Sequence, residues 1–381
     1  MTISWKLFLT PVFAIAALFV IDKAFLFPEV RDGFLQPGGM VYYRQRQTQI
    51  KRMQDFARRA PANIKLAVVL GDSRTFALGD LPARYIGKND WKIYNFAGPQ
   101  ASPAYFFYLA RELFTGVKRP GYLILEISPE SFNRNSRILG STVLNHGVDS
   151  SFVSDHRTMI PEPDWLDYVD SRRYALFSLP FSFKDLVARW RGGPGPSRPL
   201  ILAMPETGPI SDTDWQNGLM LSMQNVDQHN MALYSMKTSR EVQFLDFMSG
   251  AQYAWFGTAS EERLKSDTDR IAGIYLKNFK VSEEQVYFFR KTLELARQAQ
   301  VKTVVFWPQV NPHLQKLLDS DPRFSVLKMR LTRDAEDRNA RVFDLAEQKE
   351  TRCSHFYDAS HLSIQCFPEI TRFLLNRLEE R

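Results

Sequence analysis

The stretch AVVLGDSRTF, residues 67–76, changes character in its middle. The residues up to Leu70 are small or apolar, as in a strand that is buried on both faces. Gly71, Asp72, Ser73 and Arg74 follow, and this cluster is too polar to continue a buried strand. In open parallel sheets, functional residues collect where strands end and loops begin. Ser73 is therefore a candidate functional residue at the end of a strand.

After residue 61, short apolar segments alternate with helical stretches, which is typical of a parallel sheet covered by helices. The predicted strands cover residues 66–70, 92–96, 122–127, 303–307 and 341–345. The predicted helices cover residues 103–114, 282–300 and 368–381, and Ser282 with Gln285 has the spacing of a capping box. From about residue 134 to residue 280 the alternation stops, and the turn-rich RGGPGPSRP indicates a large insertion. The prediction is an α/β domain over residues 61–381, with a parallel sheet flanked by helices.

The composition is that of an ordinary folded protein, because 44% of the 381 residues are hydrophobic and 24% are charged. The formal net charge of +7 fits either an anionic partner or a basic surface without a special partner. The sequence has no phosphate-binding glycine loop, no Gly-x-Gly-x-x-Gly after a strand and no Cys/His cluster with zinc spacing. We therefore predict no metal, no cofactor and no nucleic-acid partner.

The N-terminal segment has an uncharged run from Leu7 to Ile21 and further apolar residues up to Phe27. Its length approaches the roughly 20 residues that span a bilayer, and Trp5 and Phe25 stand where interfacial anchors occur. A cleaved signal peptide is the alternative, but the small-x-small pattern lies in the middle of the apolar run and not after it. We predict an uncleaved transmembrane anchor over residues 1–27, whose orientation the flanking basic residues leave undecided.

Residues 28–60 connect this segment to the predicted domain and are rich in arginine. The spacing of Ile50, Met53 and Phe56 predicts a helix with one apolar face. Two interpretations of this juxtamembrane helix stay open. It either rests on anionic lipid headgroups, or packs on the domain and turns its charged face to solvent.

A serine is a weak nucleophile unless a histidine removes its proton and a carboxylate orients that histidine. Among the six histidines, His361 stands out because the segment FYDASHLS places Asp358 three residues before it. This segment follows the last predicted strand and precedes the last predicted helix. At this spacing the carboxylate reaches back to the imidazole within one short loop. We therefore expect Ser73, Asp358 and His361 to act together in nucleophilic catalysis.

The segments GDSR (71–74) and DASH (358–361) resemble the first and last sequence blocks of the GDSL/SGNH hydrolase superfamily. The resemblance covers residues from about 64 to 133 and from about 282 to 381. It implies that Ser73 is the nucleophile, His361 the general base and Asp358 the acid that orients the base. The segment YNFAGPQAS (94–102) matches the second block. Gly98 is thereby implied to donate its backbone N–H to an oxyanion hole, together with that of Ser73.

The third block departs from the superfamily, which usually has Gly-x-Asn-Asp after the next strand. This chain has LEISPESFN over residues 125–133, and a carboxylate such as Glu130 in that place repels a developing oxyanion. Either Asn133 or a backbone amide is expected to be the second donor, or activity is weak. The segment ISPESF resembles membrane-anchored SGNH-like proteins of D-alanyl transfer and alginate O-acetylation. This likeness implies acyl transfer to an extracytoplasmic polymer, with a membrane-bound O-acyltransferase as partner.

The expected protein is an inner-membrane enzyme with a periplasmic domain that transfers an acyl group to a polysaccharide. Acetyl is the first candidate for this acyl group. An anchored esterase or lipase is the first alternative, and a non-catalytic assembly partner of a membrane acyltransferase is the second. Two further residues are candidates for substrate binding. Arg74 either steers an anionic substrate or pairs with Asp72. His313, in WPQVNPH, lies either in the cleft or at the start of a surface helix.

The two cysteines of the chain, Cys353 and Cys366, enclose both Asp358 and His361. Two cysteines this close fit a disulfide in an oxidising compartment, and two free thiols are the alternative. A disulfide here is expected to limit the freedom of the loop and to hold the imidazole near Ser73.

Overall fold

The computed structural model describes residues 5–27, 43, 46–116, 118–136, 138–175 and 258–380. Five parallel strands form one sheet in the order β2-β1-β3-β4-β5. They are β1 (Lys65–Leu70), β2 (Trp91–Asn95), β3 (Tyr122–Glu126), β4 (Lys302–Trp307) and β5 (Ala340–Asp344). Every predicted strand is confirmed to within one residue at either end. In this order the chain builds outward from β1 to both sides, so a crevice forms at the carboxyl ends of β1 and β3.

Helices lie before, between and after the strands in the described part of the chain. They are α1 (Trp5–Ala24), α2 (Arg46–Arg59), α3 (Asp80–Tyr85), α4 (Pro103–Thr115), α5 (Ser150–Asp155), α6 (Glu162–Arg173), α7 (Glu261–Ile271), α8 (Glu283–Gln298), α9 (Pro312–Ser320), α10 (Pro322–Glu336) and α11 (Phe367–Glu379). The three helices predicted from the sequence are confirmed as α4, α8 and α11. The domain is therefore α/β, a parallel sheet flanked by helices.

Different helices cover the two faces of the sheet. Along β1, Val68 and Leu70 belong to one buried cluster with α2, α4, α8 and α10. Ala67 and Val69 belong to a second cluster with α3 and α11. Successive residues of a strand point to opposite faces, so an uninterrupted apolar run is what a strand covered on both sides requires.

Helix α1 exposes large apolar side chains, among them Val12, Phe13 and Ile15, each more than half exposed. Its carboxyl end contacts α6, because the Lys23 ammonium donates to the carbonyl oxygen of Arg173. Among the residues that the structure describes, no helix is both long enough and apolar enough to span a membrane.

Helix α2 packs on the domain. The side chains of Ile50, Met53 and Phe56 are buried, and the first two join the cluster that covers one face of the sheet. Arg46, at the start of the helix, is also buried and donates to the carbonyl oxygen of Asn95 at 3.1 Å. Of the two interpretations of this helix, packing on the domain is confirmed, because the core uses the apolar face.

The predicted insertion is described over residues 134–136, 138–175 and 258–280, and the segment RGGPGPSRP lies outside the described residues. Helices α5, α6 and α7 lie within it, together with π-helical turns at Leu139–Gly147 and Ala272–Leu276. A bridge between Asn133 and Val281 joins its two edges. The insertion therefore leaves the domain and returns to it at one place beside β3.

The predicted capping box at α8 forms only in part. The Ser282 hydroxyl oxygen accepts the N–H of Gln285 at 3.3 Å, as expected of a helix cap. The Gln285 side chain does not reach back to Ser282, since its Oε1 accepts the N–H of Ala104 at 3.0 Å. It thereby ties α8 to the first turn of α4.

Candidate active site

Ser73 lies in a tight turn at the carboxyl end of β1. Asp72 caps this turn, Ser73–Thr75, since its Oδ1 accepts the N–H of Arg74 at 2.8 Å. Gly71 makes the turn possible, because a Cβ at this position would lie 2.8 Å from Cγ2 of Thr75 and 2.9 Å from Cβ of Glu126. Lack of space for a side chain therefore explains the glycine at position 71, and capping of the turn explains the aspartate at position 72.

His361 reaches Ser73 from the other end of the chain. The Oγ of Ser73 lies 2.8 Å from Nε2 of His361, although the two residues are 288 positions apart. The Nδ1 of the same ring lies 2.8 Å from Oδ2 of Asp358. An ionised carboxylate only accepts hydrogen bonds, so Nδ1 carries the proton and Nε2 accepts from the serine hydroxyl. The structure thus brings together the three residues that the sequence indicates as nucleophile, base and acid.

The environment of Asp358 keeps its carboxyl group ionised. Burial raises its pKa, but the facing His361 imidazole and the N–H groups of Ser360 and His361 outweigh burial. These two N–H groups lie 2.8 and 2.9 Å from Oδ1. The net effect holds the pKa of Asp358 well below its ordinary value. The three-residue spacing therefore lets the carboxylate bind the backbone of its own loop and the imidazole at once.

A disulfide between Cys353 and Cys366 closes the loop that carries the acid and the base. Within the loop, the N–H of Tyr357 donates to the carbonyl oxygen of His361 at 2.9 Å. The disulfide predicted from the sequence is confirmed. Asp358 and His361 consequently belong to one cross-linked unit.

We expect the double variant Cys353→Ser/Cys366→Ser to fold but to hold His361 less firmly against Ser73. Opening this loop is expected to lower the free energy of unfolding by about 3 kcal/mol, since the cross-link restricts the unfolded chain. Urea unfolding measures that loss. The rate at which a fluorophosphonate probe labels Ser73 is expected to fall further than the folded fraction does. Labelling that simply follows the folded fraction would contradict a local role of the disulfide.

Gly98 lies beside the Ser73 turn, but its N–H is already used. It donates to the carbonyl oxygen of Gly71 at 3.1 Å and so fastens the turn. A Cβ on Gly98 would lie 2.9 Å from the Tyr43 ring, which is a packing reason for glycine. The residue after it, Pro99, has no N–H. The N–H that the resemblance assigns to an oxyanion hole is therefore a structural hydrogen bond here.

Asn133 is likewise used structurally. Its Nδ2 donates to the carbonyl oxygen of Tyr275 at 2.8 Å, and its Oδ1 accepts the N–H groups of Asn135 and Lys280, both at 3.1 Å. The side chain thus joins the two edges of the insertion and does not serve as the predicted oxyanion donor. Within the described part of the chain, the N–H of Ser73 donates to no acceptor and stays available to an oxyanion.

Arg74 lies in a buried cluster with three carboxylates. Its guanidinium is 2.6 Å from Glu130, 3.3 Å from Asp72 and 3.9 Å from Glu126. Of the two predicted roles of Arg74, pairing with Asp72 is the one that this geometry supports. Glu130, which the sequence places where an oxyanion would be repelled, has its charge balanced by Arg74.

The charge cluster also fixes the backbone of the Ser73 turn. The N–H of Asp72 donates to Oε2 of Glu126 at 2.9 Å. Burial raises the pKa of Glu126 well above its ordinary value, the Asp72 carboxylate adds to this, and Arg74 opposes it. Burial lowers the pKa of Arg74, but the three carboxylates outweigh it and raise that pKa. Glu126 was missed from the sequence, and its signal was an acid that ends the apolar strand YLILE.

His313 lies at the start of α9, which confirms the surface-helix interpretation. Its Nε2 lies 2.5 Å from Oε1 of Glu261 on α7, and its side chain is about one-third exposed. Asn311 caps the helix through the N–H groups of His313 and Leu314. Among the described residues, no group of three or more His, Cys, Asp or Glu side chains is arranged to hold a metal ion.

Comparison with known proteins places the whole chain in one family. No curated protein matches the sequence. Residues 3–378 match the family described as "Protein of unknown function (DUF1574)". Because this match spans nearly the full length of the chain, the protein belongs to the DUF1574 family.

Proposed function

We propose that this protein is a serine enzyme with an SGNH-like fold that transfers an acyl group to a hydroxyl of an extracytoplasmic polysaccharide. Acetyl is the first candidate for this acyl group. The observation that carries the proposal is the hydrogen-bonded series from Ser73 Oγ through His361 to Asp358. A nucleophile, a base and an orienting acid in this order are what acyl transfer through serine requires. The resemblance of GDSR and DASH to the GDSL/SGNH superfamily supports the same roles.

In the first step, Nε2 of His361 takes the proton of the Ser73 hydroxyl while Oγ attacks the carbonyl carbon of an ester donor. The bond from that carbon to the donor's alcohol oxygen then breaks, and the alcohol leaves with the proton from Nε2. Asp358 stabilises the imidazolium that exists between the two proton transfers. The free N–H of Ser73 stabilises the oxyanion.

In the second step, a sugar hydroxyl gives its proton to Nε2 and its oxygen attacks the acyl carbon. Ser73 leaves and regains the proton from Nε2. Water in place of the sugar gives hydrolysis, so an esterase activity belongs to the same site. The structural use of the Gly98 N–H and the Asn133 amide favours the other alternative, a non-catalytic partner of a membrane acyltransferase.

The proposed location is the periplasmic side of the inner membrane. The disulfide supports an oxidising compartment. The exposed apolar side chains of α1 support an attachment to the membrane through this helix. A membrane-bound O-acyltransferase is the proposed partner that supplies acyl groups. The resemblance of the segment ISPESF to membrane-anchored SGNH-like proteins supports this partner.

The test presents p-nitrophenyl acetate to the purified protein, with and without a neutral oligosaccharide. Intact-protein mass spectrometry after an acid quench is expected to show one added acetyl group, located on Ser73 by peptide mapping. Acetylated oligosaccharide identifies a transferase, and acetate alone identifies an esterase. A protein that forms neither product nor acetyl-enzyme would be non-catalytic, and the proposal would fail.

A further inference from the structure

A cavity of about 610 Å³ lies at the carboxyl ends of β3, β4 and β5, under α9 and α10. Small-molecule sites usually have volumes of about 300–1,000 Å³, and this cavity falls within that range. Arg74, which directly follows Ser73 in the chain, lines one side. Ser73, Asp358 and His361 are not among the lining residues, so the cavity is a separate space beside the catalytic groups.

The charge of the cavity wall selects against anions. Five carboxylates and three cations line it, which gives a net formal charge of −2. Two of the cations are already paired, since Arg74 contacts Glu130 at 2.6 Å and Lys328 contacts Glu347 at 2.9 Å. Even with the third cation, Arg333, the wall keeps its net negative charge, which repels an anionic ligand. The wall therefore disfavours an anionic ligand and offers carboxylate oxygens as acceptors to hydroxyl donors.

Trp307 gives the cavity a buried donor without an acceptor. Trp307 lines the cavity at the end of β4, and only 6% of the residue is exposed. Within the described part of the chain, its indole N–H has no hydrogen-bond partner. Buried donors are nearly always paired, and a ligand oxygen would supply the partner that this N–H lacks among the described residues. Val310, Phe324 and Met329 line the same space and offer apolar surface.

We propose that this cavity binds a neutral saccharide unit beside Ser73. A sugar ring has hydroxyls that donate to carboxylates, oxygens that accept from an indole N–H, and an apolar face of C–H groups. The cavity offers a counterpart to each of these three features. The role of the bound sugar as acyl acceptor rests on the proposed function, whereas the binding itself does not.

Binding is tested on the Ser73→Ala protein, so that no turnover interferes. Isothermal titration calorimetry uses neutral tetrasaccharides of glucose, galactose and mannose, a tetrasaccharide of uronic acid and one of glucosamine. At least one neutral probe is expected to bind, and to bind more tightly than the uronic acid probe. Binding only of a charged probe, or of none, would overturn the proposal.

Two further variants locate the binding. Trp307→Phe keeps an aromatic ring but removes the N–H, and it is expected to weaken binding about tenfold. Thr332→Trp fills the cavity from α10 and is expected to abolish binding. Their matched controls, Trp165→Phe on α6 and Val326→Trp on the exposed side of α10, are expected to leave binding within twofold. Equal effects of the variants and their controls would contradict the site.

The sugar-binding proposal and the enzymatic proposal can be contradicted independently of each other. Loss of sugar binding in Thr332→Trp with normal acetylation of Ser73 supports the cavity as a site for the acceptor. Sugar binding by a protein that never forms acetyl-Ser73 would keep the cavity and end the enzymatic proposal. Formation of acetyl-Ser73 by a protein that binds none of the neutral probes would end the cavity proposal and keep the enzymatic proposal.

Discussion

Replacing Ser73 or His361 with alanine is expected to lower turnover of p-nitrophenyl acetate by about 10⁴-fold or more, while the protein stays folded. Ser73→Ala removes the atom that accepts the acyl group, and His361→Ala removes the only base within hydrogen-bond distance of Oγ among the described residues. Because these residues act as one unit, the double variant is expected to be no worse than either single variant. Asp358→Asn is expected to leave more activity, since a misoriented imidazole keeps some basicity.

The same loop offers matched controls for this experiment. Ser354 and His355 lie inside the disulfide-closed loop and are exposed. Ser354→Ala and His355→Ala are expected to keep turnover within about twofold, because neither side chain contacts Ser73 in the described structure. Circular dichroism checks that all variants fold. Turnover that survives in Ser73→Ala, or that is lost equally in His355→Ala, would end the assignment.

Arg74→Met is expected to lower the free energy of unfolding by about 3–5 kcal/mol at neutral pH. The substitution leaves buried carboxylates without their cation, which costs more than the ion pairs themselves contribute. Urea unfolding measures the loss. Arg263→Met, at a side chain that is about half exposed, is the control and is expected to change stability by less than about 0.5 kcal/mol.

The loss at Arg74 is expected to depend on pH in a defined direction. Burial raises the pKa of Glu126 in the folded protein, so folding favours its protonated form. A group with a raised folded pKa contributes stability at low pH and loses it as the pH rises through that pKa. Without Arg74 the raising effects act unopposed, so the destabilisation is expected to be larger at pH 8 than at pH 5.5. A loss that is independent of pH, or that is not relieved by adding Glu126→Gln, would contradict this account.

The sheet and the proposed catalytic groups are predictable from local patterns. Apolar runs such as residues 66–70 are long enough to identify strands, and the order of strands and helices along the chain implies a parallel sheet. Asp358 and His361 share a loop, so their contact follows from spacing alone. Ser73 lies in the turn after β1 and His361 in the loop between β5 and α11, and both segments lie at the carboxyl edge of the same parallel sheet.

The oxyanion donors and the buried charges are not predictable in this way. Whether the Gly98 N–H is free depends on the carbonyl oxygen of Gly71 in a neighbouring loop, and no sequence spacing expresses that contact. The same holds for Asn133, whose partners lie on the far edge of the insertion. The role of Glu126 depends on Arg74 and Asp72 across the β1–β3 pair. Such contacts belong to the packed fold and not to any segment of the chain.

If the protein is the serine enzyme proposed above, the hydrogen bond between Ser73 and His361 also sets the moment at which activity begins during its synthesis. A ribosome that adds about 5–20 residues per second finishes His361 roughly 15 to 60 s after Ser73, because 288 positions separate them. During that interval the serine has no base. Nascent and prematurely terminated chains are therefore expected to be inert toward acyl esters, and the proposed chemistry is expected to begin only when the C-terminal loop folds against β1.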